Sequence, residues 1–311
     1  MIDLFRNTFV SYNGELNMND KRLKQHALGF WEVVDKPTDQ ELSDYYANKY
    51  YQTERANYRK TYPEEELEVI VLKVSQRLQK VEELRGGNKK LGKILDVGCG
   101  EGFALAEFQR RGWKVEGIDH SIEGLRAMNP DLMDHVEQGN VFELLDIRIE
   151  REETYDVVWL NNVLEHVTEP LGLLKALRQL IADNGVLVVT VPNDFSELQE
   201  KLLTDQKIPG RFWIAVPDHL TYFTADSLKM TANATGWQCE SVLADFPVDL
   251  YLAHRGSNYV SDSANGPHAH SAKLILEQLI GKHGADRANR FYEALADVGL
   301  GRNITAFLLP D

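Results

Sequence analysis

The stretch KILDVGCGEGFALAEFQRRGWKVEGIDHS, residues 93–121, decides the fold. KILDV (93–97) is a short apolar run and reads as a buried strand. A turn with glycines at 98, 100 and 102 follows, where a Cβ would restrict positive φ and the close approach of a ligand to the backbone. FALAEFQRRG (103–112) then sets Phe103, Leu105, Ala106 and Phe108 on a helix, and WKVEGID (113–119) is a second strand. Strand, glycine turn, helix and strand make the opening unit of a parallel sheet with crossover helices.

Working outward, the alternation continues. A helix near Ile122–Met128 leads to a weaker strand near His135–Gln138, and YDVVWLN (155–161) is apolar enough to be buried on both faces. A helix over 170–183 follows, with Leu171, Leu174, Leu177 and Ile181 on one face and Asn184-Gly185 as its stop. GVLVVTVP (185–192) is the fifth strand. After Pro192 the alternation lapses over an insertion at 193–235, whose end is a helix (225–235) that Thr224 caps. WQCESVLA (237–244) and NITAFLLP (303–310) are the last strands, separated in part by a helical stretch from Ala272 to about Ala296. The expected organisation is an N-terminal helical region, 1–92, that covers a cofactor, with a long helix at 63–87, followed by a core domain at 93–311.

Composition removes several classes. The 311 residues are 43% apolar, enough for a sizeable core. The 48 acidic against 34 basic side chains give a formal charge of −14, which repels phosphate backbones and anionic lipid. Nucleic acid and membrane are therefore not the expected partners. No apolar run reaches a membrane span and MIDLFRNTFV lacks a leader's apolar segment, so the cytoplasm is the expected compartment. The two cysteines, Cys99 and Cys239, are not spaced as zinc ligands. His254, His268 and His270 lie in a Ser-, Gly- and Asn-rich tract that reads as a surface loop, and no metal is expected.

The chemistry of the glycine turn separates two kinds of ligand. The dinucleotide pattern GxGxxG would place its third glycine at 103, where Phe103 stands. Asp96 adds a carboxylate just before the turn, repulsive to a pyrophosphate and attractive to an ammonium or sulfonium. Asp119 ends the second strand about twenty residues after the turn, the spacing at which a carboxylate reaches a ribose diol. Alone it could instead cap the helix that follows.

ILDVGCGEG, VEGIDHS and the run from Tyr155 to Asn193, taken in order, resemble the class I S-adenosylmethionine (SAM) dependent methyltransferases, in their small-molecule and sugar branch. The resemblance implies an α/β, Rossmann-like sheet of seven strands ordered 3-2-1-4-5-7-6, the last antiparallel, with helices on both faces and the insertion as a lid. It implies SAM as cofactor. Gly98, Gly100 and Gly102 would line its amino-acid end and Asp119 its ribose, and the Asp96 carboxylate joins this cofactor-binding set by its charge beside the turn. Asn140 and Val141 would meet the adenine, and Asn161 and Asn162 would lie beneath the methyl-bearing sulfur. The family usually has Asp where Asn140 stands.

Methyl transfer is an in-line displacement, which asks the protein to align the acceptor and, where needed, remove a proton. His166, in NNVLEHV, follows the fourth strand. His219, in VPDHLTYFT (216–224), is the sharper general-base candidate, with Asp218 orienting it; either histidine could instead be a structural pin. VPDHLTYFT resembles the EH-x-x-YF segment of sugar methyltransferases, but Val216 occupies the place of a tyrosine found in C-methylating enzymes. ELSDYYANKYYQTE (41–54) resembles a tyrosine-rich element that covers the cofactor in relatives, which points to Tyr46 and Tyr50, flanked by Tyr45 and Tyr51. The expected function is methyl transfer from SAM to an oxygen, or a nitrogen, of a small molecule such as a sugar or glycan precursor. A sugar C-methyltransferase, an NAD-dependent oxidoreductase and a non-catalytic SAM-binding scaffold are the alternatives, and the oligomeric state stays open, a homodimer included.

Overall fold

The structure, a computed structural model, describes residues 20–38, 41–42, 61–87 and 91–311. In these residues ten strands follow one another: β1 (Leu23–Gln25), β2 (Trp31–Val33), β3 (Lys93–Val97), β4 (Lys114–Asp119), β5 (Val136–Gln138), β6 (Tyr155–Asn161), β7 (Ile181–Pro192), β8 (Thr221–Tyr222), β9 (Trp237–Ala244) and β10 (Asn303–Pro310). Seven of them form one sheet in the order β5-β4-β3-β6-β7-β10-β9, with β10 antiparallel to both neighbours. Numbered within that sheet, the order is 3-2-1-4-5-7-6, as the resemblance implies.

Alternation along each strand divides its side chains between two cores. Leu95, Val97, Val158, Leu160, Leu187 and Val189 face one way, against Leu173, Leu174 and Leu177 of helix Pro170–Leu180. Ile94, Val157, Trp159, Val186 and Val188 face the other way, against Phe108 of helix Phe103–Arg110 and Leu78 and Val81 of helix Glu64–Leu84. Full burial of each such side chain contributes about 1.5–3 kcal/mol. Helix Glu64–Leu84 is thus a wall of the core. Its end is pinned by Arg85, which pairs with Asp156 and lies 5.2 Å over the Trp113 ring.

Several boundaries differ from the expectation. The helix after β6 stops at Leu180, and Ile181 already pairs with Tyr155. Because the next pair is Val157 with Val186, residues 182–185 bulge from β7, and Asn184-Gly185 marks that bulge instead of a helix end. The stretch ending near Ala296 is two helices, Asn265–Gly281 and Ala285–Asp297, broken at Gly284 with φ +88°. The tract read as a surface loop already turns helical at Asn265, which places His268 and His270 on a helix.

The N-terminal part is not only helical. β1 and β2 form a hairpin, Leu23 opposite Val33, and β2 pairs with β8 in the insertion, Trp31 opposite Tyr222. This three-stranded sheet covers a third apolar cluster that includes Val33, Leu203, Trp213, Tyr222, Leu252 and Tyr259. Phe30, 1% exposed at the hairpin turn, packs into the main core, 5.3 Å from the Phe223 ring. Among the described residues no helix is long and apolar enough to cross a membrane.

Candidate active site

Parallel registers bring the ends of four strands to one edge of the sheet: Val97 pairs with Ile118 and with Leu160, and Asp119 with Gln138. The chain crosses to opposite sides of β3 here, the switch point at which α/β sheets bind ligands. At this edge the glycine turn leaves β3. Gly98, Gly100 and Gly102 all have positive φ, 73°, 54° and 76°. Gly98 donates its N–H to the Ile118 carbonyl at 2.8 Å, and a Cβ there would collide with Val163 in the loop after β6. A Cβ on Gly102 would collide with Leu125. Positive φ and these close side chains together favour glycine at 98 and 102, whatever ligand approaches.

Two buried acids flank the turn. Asp119 Oδ2 accepts the Gly100 N–H at 2.8 Å and its Oδ1 accepts the Ser121 N–H at 2.9 Å. Asp119 does not cap helix Glu123–Met128, which begins after Ile122. Asp96 is 2% exposed, and burial, aided by the nearby Asp119 charge, pushes its carboxyl up to about 8. Burial also raises Asp119. Two acids destabilised in their charged forms fit a cationic ligand, whose charge would restore both.

Asn140, Val141, Asn161 and Asn162 stand at the ends and starts of elements along the same edge of the sheet. Asn140 Oδ1 accepts from the N–H groups of Phe142 and Glu143 at 2.9 and 3.3 Å, capping helix Val141–Glu150, so Val141 opens the first turn. Gly139 donates to the Asp119 carbonyl at 2.9 Å, which sets Asn140 beside β4. Asn161 Oδ1 accepts from Arg77 of helix Glu64–Leu84 at 3.3 Å. Asn162 takes the left-handed conformation, φ 56°, and its buried Oδ1 has no hydrogen-bond partner among the described residues. That orphaned acceptor, on the edge that holds the two acids, fits a ligand bearing a donor or a positive centre.

On the acceptor side the structure brings together both histidines that the sequence offers as alternatives. The His166 and His219 rings lie 4.9 Å apart, edge to face. His166 Nδ1 donates to the Asp218 carbonyl at 2.6 Å, which leaves the lone pair on Nε2. Asp218 thus contributes its backbone oxygen to His166, where the sequence analysis has it orienting His219. The His219 loop is held by its neighbours: Tyr222 donates its hydroxyl to the His219 carbonyl at 3.0 Å, and His219 donates its N–H to Ala215 at 2.8 Å. Leu220 stitches three segments together, donating to the Glu165 carbonyl at 2.8 Å and accepting from Val33 of the hairpin at 2.9 Å.

Two residues escape the sequence reading. Glu165, 1% exposed, carries a carboxyl that burial, with Asp194 and Asp218 nearby, pushes up to about 7 against the opposing pull of His166. Its Oε1 lies 3.8 Å from His166 Nε2. Tyr62 donates its hydroxyl to Glu101 of the glycine turn at 2.7 Å, and its ring meets Phe103 edge-on at 5.7 Å. Glu165 sits beside a histidine already singled out, which is a usable signal; nothing in the sequence marks Tyr62. Tyr45, Tyr46, Tyr50 and Tyr51 lie outside the described residues.

A seven-stranded sheet in this order, with a glycine turn at its switch point, defines the class I SAM-dependent methyltransferases, and SAM is the cofactor that the class uses. A family model described as a methyltransferase domain matches residues 48–242, and the chain belongs to that family. The chain is similar to a ubiquinone biosynthesis O-methyltransferase of Psychrobacter cryohalolentis, 36% identical over 128 residues, which are 39% of this chain and 47% of that protein. A protein of the same name from Histophilus somni is 32% identical over 126 residues, 38% of this chain and 51% of that one. The chain spans about half the length of these curated relatives. Among solved structures, a SAM-dependent methyltransferase from Archaeoglobus fulgidus overlaps 77% of this chain and 94% of its own, at 18% identity and a TM-score of 0.48.

Proposed function

We propose that this protein transfers a methyl group from SAM to an oxygen of a small molecule, with the acceptor seated between the strand ends and the 216–224 segment. The single observation that carries the reading is that the His166 and His219 rings meet 4.9 Å apart where the loop after β6, which packs against the glycine turn through Val163, meets the insertion. SAM supplies an electrophilic methyl on a sulfonium. The chain's own work is binding and alignment: Asp96 and Asp119 hold positive charge and ribose hydroxyls, Asn140 and Val141 face the adenine, and Asn161 and Asn162 form the floor. His219 takes the proton of the acceptor hydroxyl as the oxygen attacks.

An oxygen acceptor is supported by the printed name of the relatives, O-methyltransferases of ubiquinone biosynthesis, and by Val216 in the place of the tyrosine of C-methylating enzymes. A phenol and a sugar hydroxyl both fit this chemistry. The likeness of VPDHLTYFT to sugar methyltransferases favours the sugar, and the relatives favour the phenol. Residues 1–92, Tyr46 and Tyr50 among them, cover the cofactor in this reading, and the insertion at 193–235 covers the acceptor.

The test is a SAM-consumption screen over catechols, other phenols and nucleotide sugars, with product mass spectrometry and NMR. A methyl on oxygen supports the proposal. Carbon methylation, or a chain that binds SAM yet methylates no hydroxyl acceptor, overturns it.

A further inference from the structure

Glu165, His166 and His219 form a cluster in which one ligand atom from each lies within 4.8 Å of the others. Two segments converge to make it: the loop after β6 supplies Glu165 and His166, and the insertion supplies His219. We infer that this cluster is a binding site for a single divalent transition cation of the zinc class.

Three features of the geometry support the site independently of methyl transfer. First, His166 is already set as a ligand. Its Nδ1 proton goes to the Asp218 carbonyl at 2.6 Å, so the Nε2 lone pair faces Glu165, and a backbone carbonyl on the far nitrogen is the usual outer partner of a metal-bound imidazole. Second, the Glu165 carboxylate is 1% exposed and its Oε2 has no hydrogen-bond partner among the described residues. A buried acceptor of this kind is costly unless something satisfies it. Third, the scaffold is stiff. The Glu165 carbonyl takes the N–H groups of Leu220 at 2.8 Å and Thr221 at 3.1 Å, which locks the two halves of the cluster to each other.

The donor set decides the chemistry. Two imidazoles and one carboxylate suit Zn²⁺, Fe²⁺, Co²⁺ or Mn²⁺, while Mg²⁺ prefers oxygen and water. Bond lengths of about 2.0–2.2 Å require ligand atoms closer together than the 3.8 Å between Glu165 Oε1 and His166 Nε2. Closing that gap takes roughly an ångström or less of side-chain rotation. Three protein ligands leave a coordination position open, as in sites that also hold water or a small oxygen ligand. His219 cannot hold a cation and accept a proton at once, so the two roles belong to different states of the chain.

The experiment titrates Zn²⁺ into the metal-free full chain by calorimetry, and follows Co²⁺ by its visible absorption. The expected result is one ion per chain, with Co²⁺ bands of low coordination number that Zn²⁺ displaces. Glu165→Gln and His219→Gln should each weaken binding at least tenfold while SAM still binds, which shows that the fold is intact. A variant lacking His254, His268 and His270 should bind as the parent does. Absence of a saturable site, or binding that survives His219→Gln but is lost with the other three histidines, overturns the assignment. Should Glu165→Gln fail to bind SAM, His219→Gln alone carries the decision. Because the readout is metal binding, failure here leaves the methyl-transfer reading standing, and the reverse also holds.

Discussion

Asp119 Oδ2 accepts the Gly100 N–H at 2.8 Å, so the end of β4 fastens the turn that leaves its neighbour β3. Asp119→Ala should therefore loosen the turn and remove the ribose contact proposed for this carboxylate. Cofactor affinity is expected to fall by about 1.5–3 kcal/mol, the scale of hydrogen bonds to a charged group. Calorimetry with SAM checks this, and hydrogen exchange at Gly100 should accelerate in parallel. Unchanged affinity with faster exchange would leave Asp119 as a turn fastener only.

Asp96 gives a pH dependence. Its carboxyl, pushed up to about 8 by burial, holds a proton at neutral pH in the free protein, whereas a cationic ligand favours the ionised form. SAM affinity should rise as pH climbs towards 8 and flatten above it, with proton release on binding at pH 7. The same raised value costs stability: it is present in full below the ordinary carboxylate range and lost as pH rises through 8. Asp96→Asn should raise Tm at pH 8, weaken SAM binding and abolish the proton release. A variant whose SAM affinity keeps the parent's pH profile would remove Asp96 from this role.

Tyr62→Phe keeps the edge contact with Phe103 and deletes the hydroxyl that reaches Glu101. A loss of about 1–2 kcal/mol in cofactor affinity, roughly 5–30-fold, is expected if the chain before helix Glu64–Leu84 steadies the turn. Tm should move little. A fall in Tm with unaltered SAM binding would make the contact purely structural.

His219→Ala should lower turnover by about 10²–10⁴-fold, the range for a positioned general base, with SAM affinity nearly unchanged. Joint loss of affinity and rate would instead mark His219 as a pin of its loop. Near-normal turnover on an authentic acceptor would pass the role to His166 or to alignment alone.

Phe30→Ala should destabilise the whole protein by about 3–5 kcal/mol, because the ring is buried in the main core although it lies far from the sheet in sequence. Chemical denaturation measures this directly. A cost under about 1 kcal/mol, the level of a surface change, would show that the hairpin is dispensable.

The sheet was legible because each of its strands is a local event: a buried strand announces itself as a continuous apolar run, as in Tyr155–Asn161, and a glycine turn cannot be hidden. On the cofactor side, spacing along those strands singles out Asp119 beside the glycine turn, while Asn140, Val141, Asn161 and Asn162 rest on the resemblance alone. The hairpin was not legible. Leu23–Gln25 and Trp31–Val33 are three residues each, too short for alternation to register, and β8 is only two. Their stability comes from a cluster gathered across more than two hundred residues of sequence. For the same reason a deletion of residues 1–55 would strip Phe30 from the main core and the partner strand from Tyr222. His166 and His219 read as competitors in the sequence because what makes them neighbours is tertiary: the ring contact itself and the hydrogen bonds from His166 to the Asp218 carbonyl and from Leu220 to the Glu165 carbonyl. The bulge of β7 was misread as a helix stop since Asn-Gly suits both, and the deciding fact, Ile181 opposite Tyr155, is a tertiary pairing.

Leu220 touches the hairpin on one side and the loop after β6 on the other, one residue from His219. Anyone who wishes to retarget this protein by exchanging segments with a homologue inherits that join. Swapping 193–235 by itself would mate a foreign β8 with the resident β2 and misplace the histidine, even if every acceptor contact were correct. The transferable cassette is discontinuous, the hairpin around 20–36 together with the insertion, and chimeras that move both pieces should express and fold where single-segment chimeras precipitate.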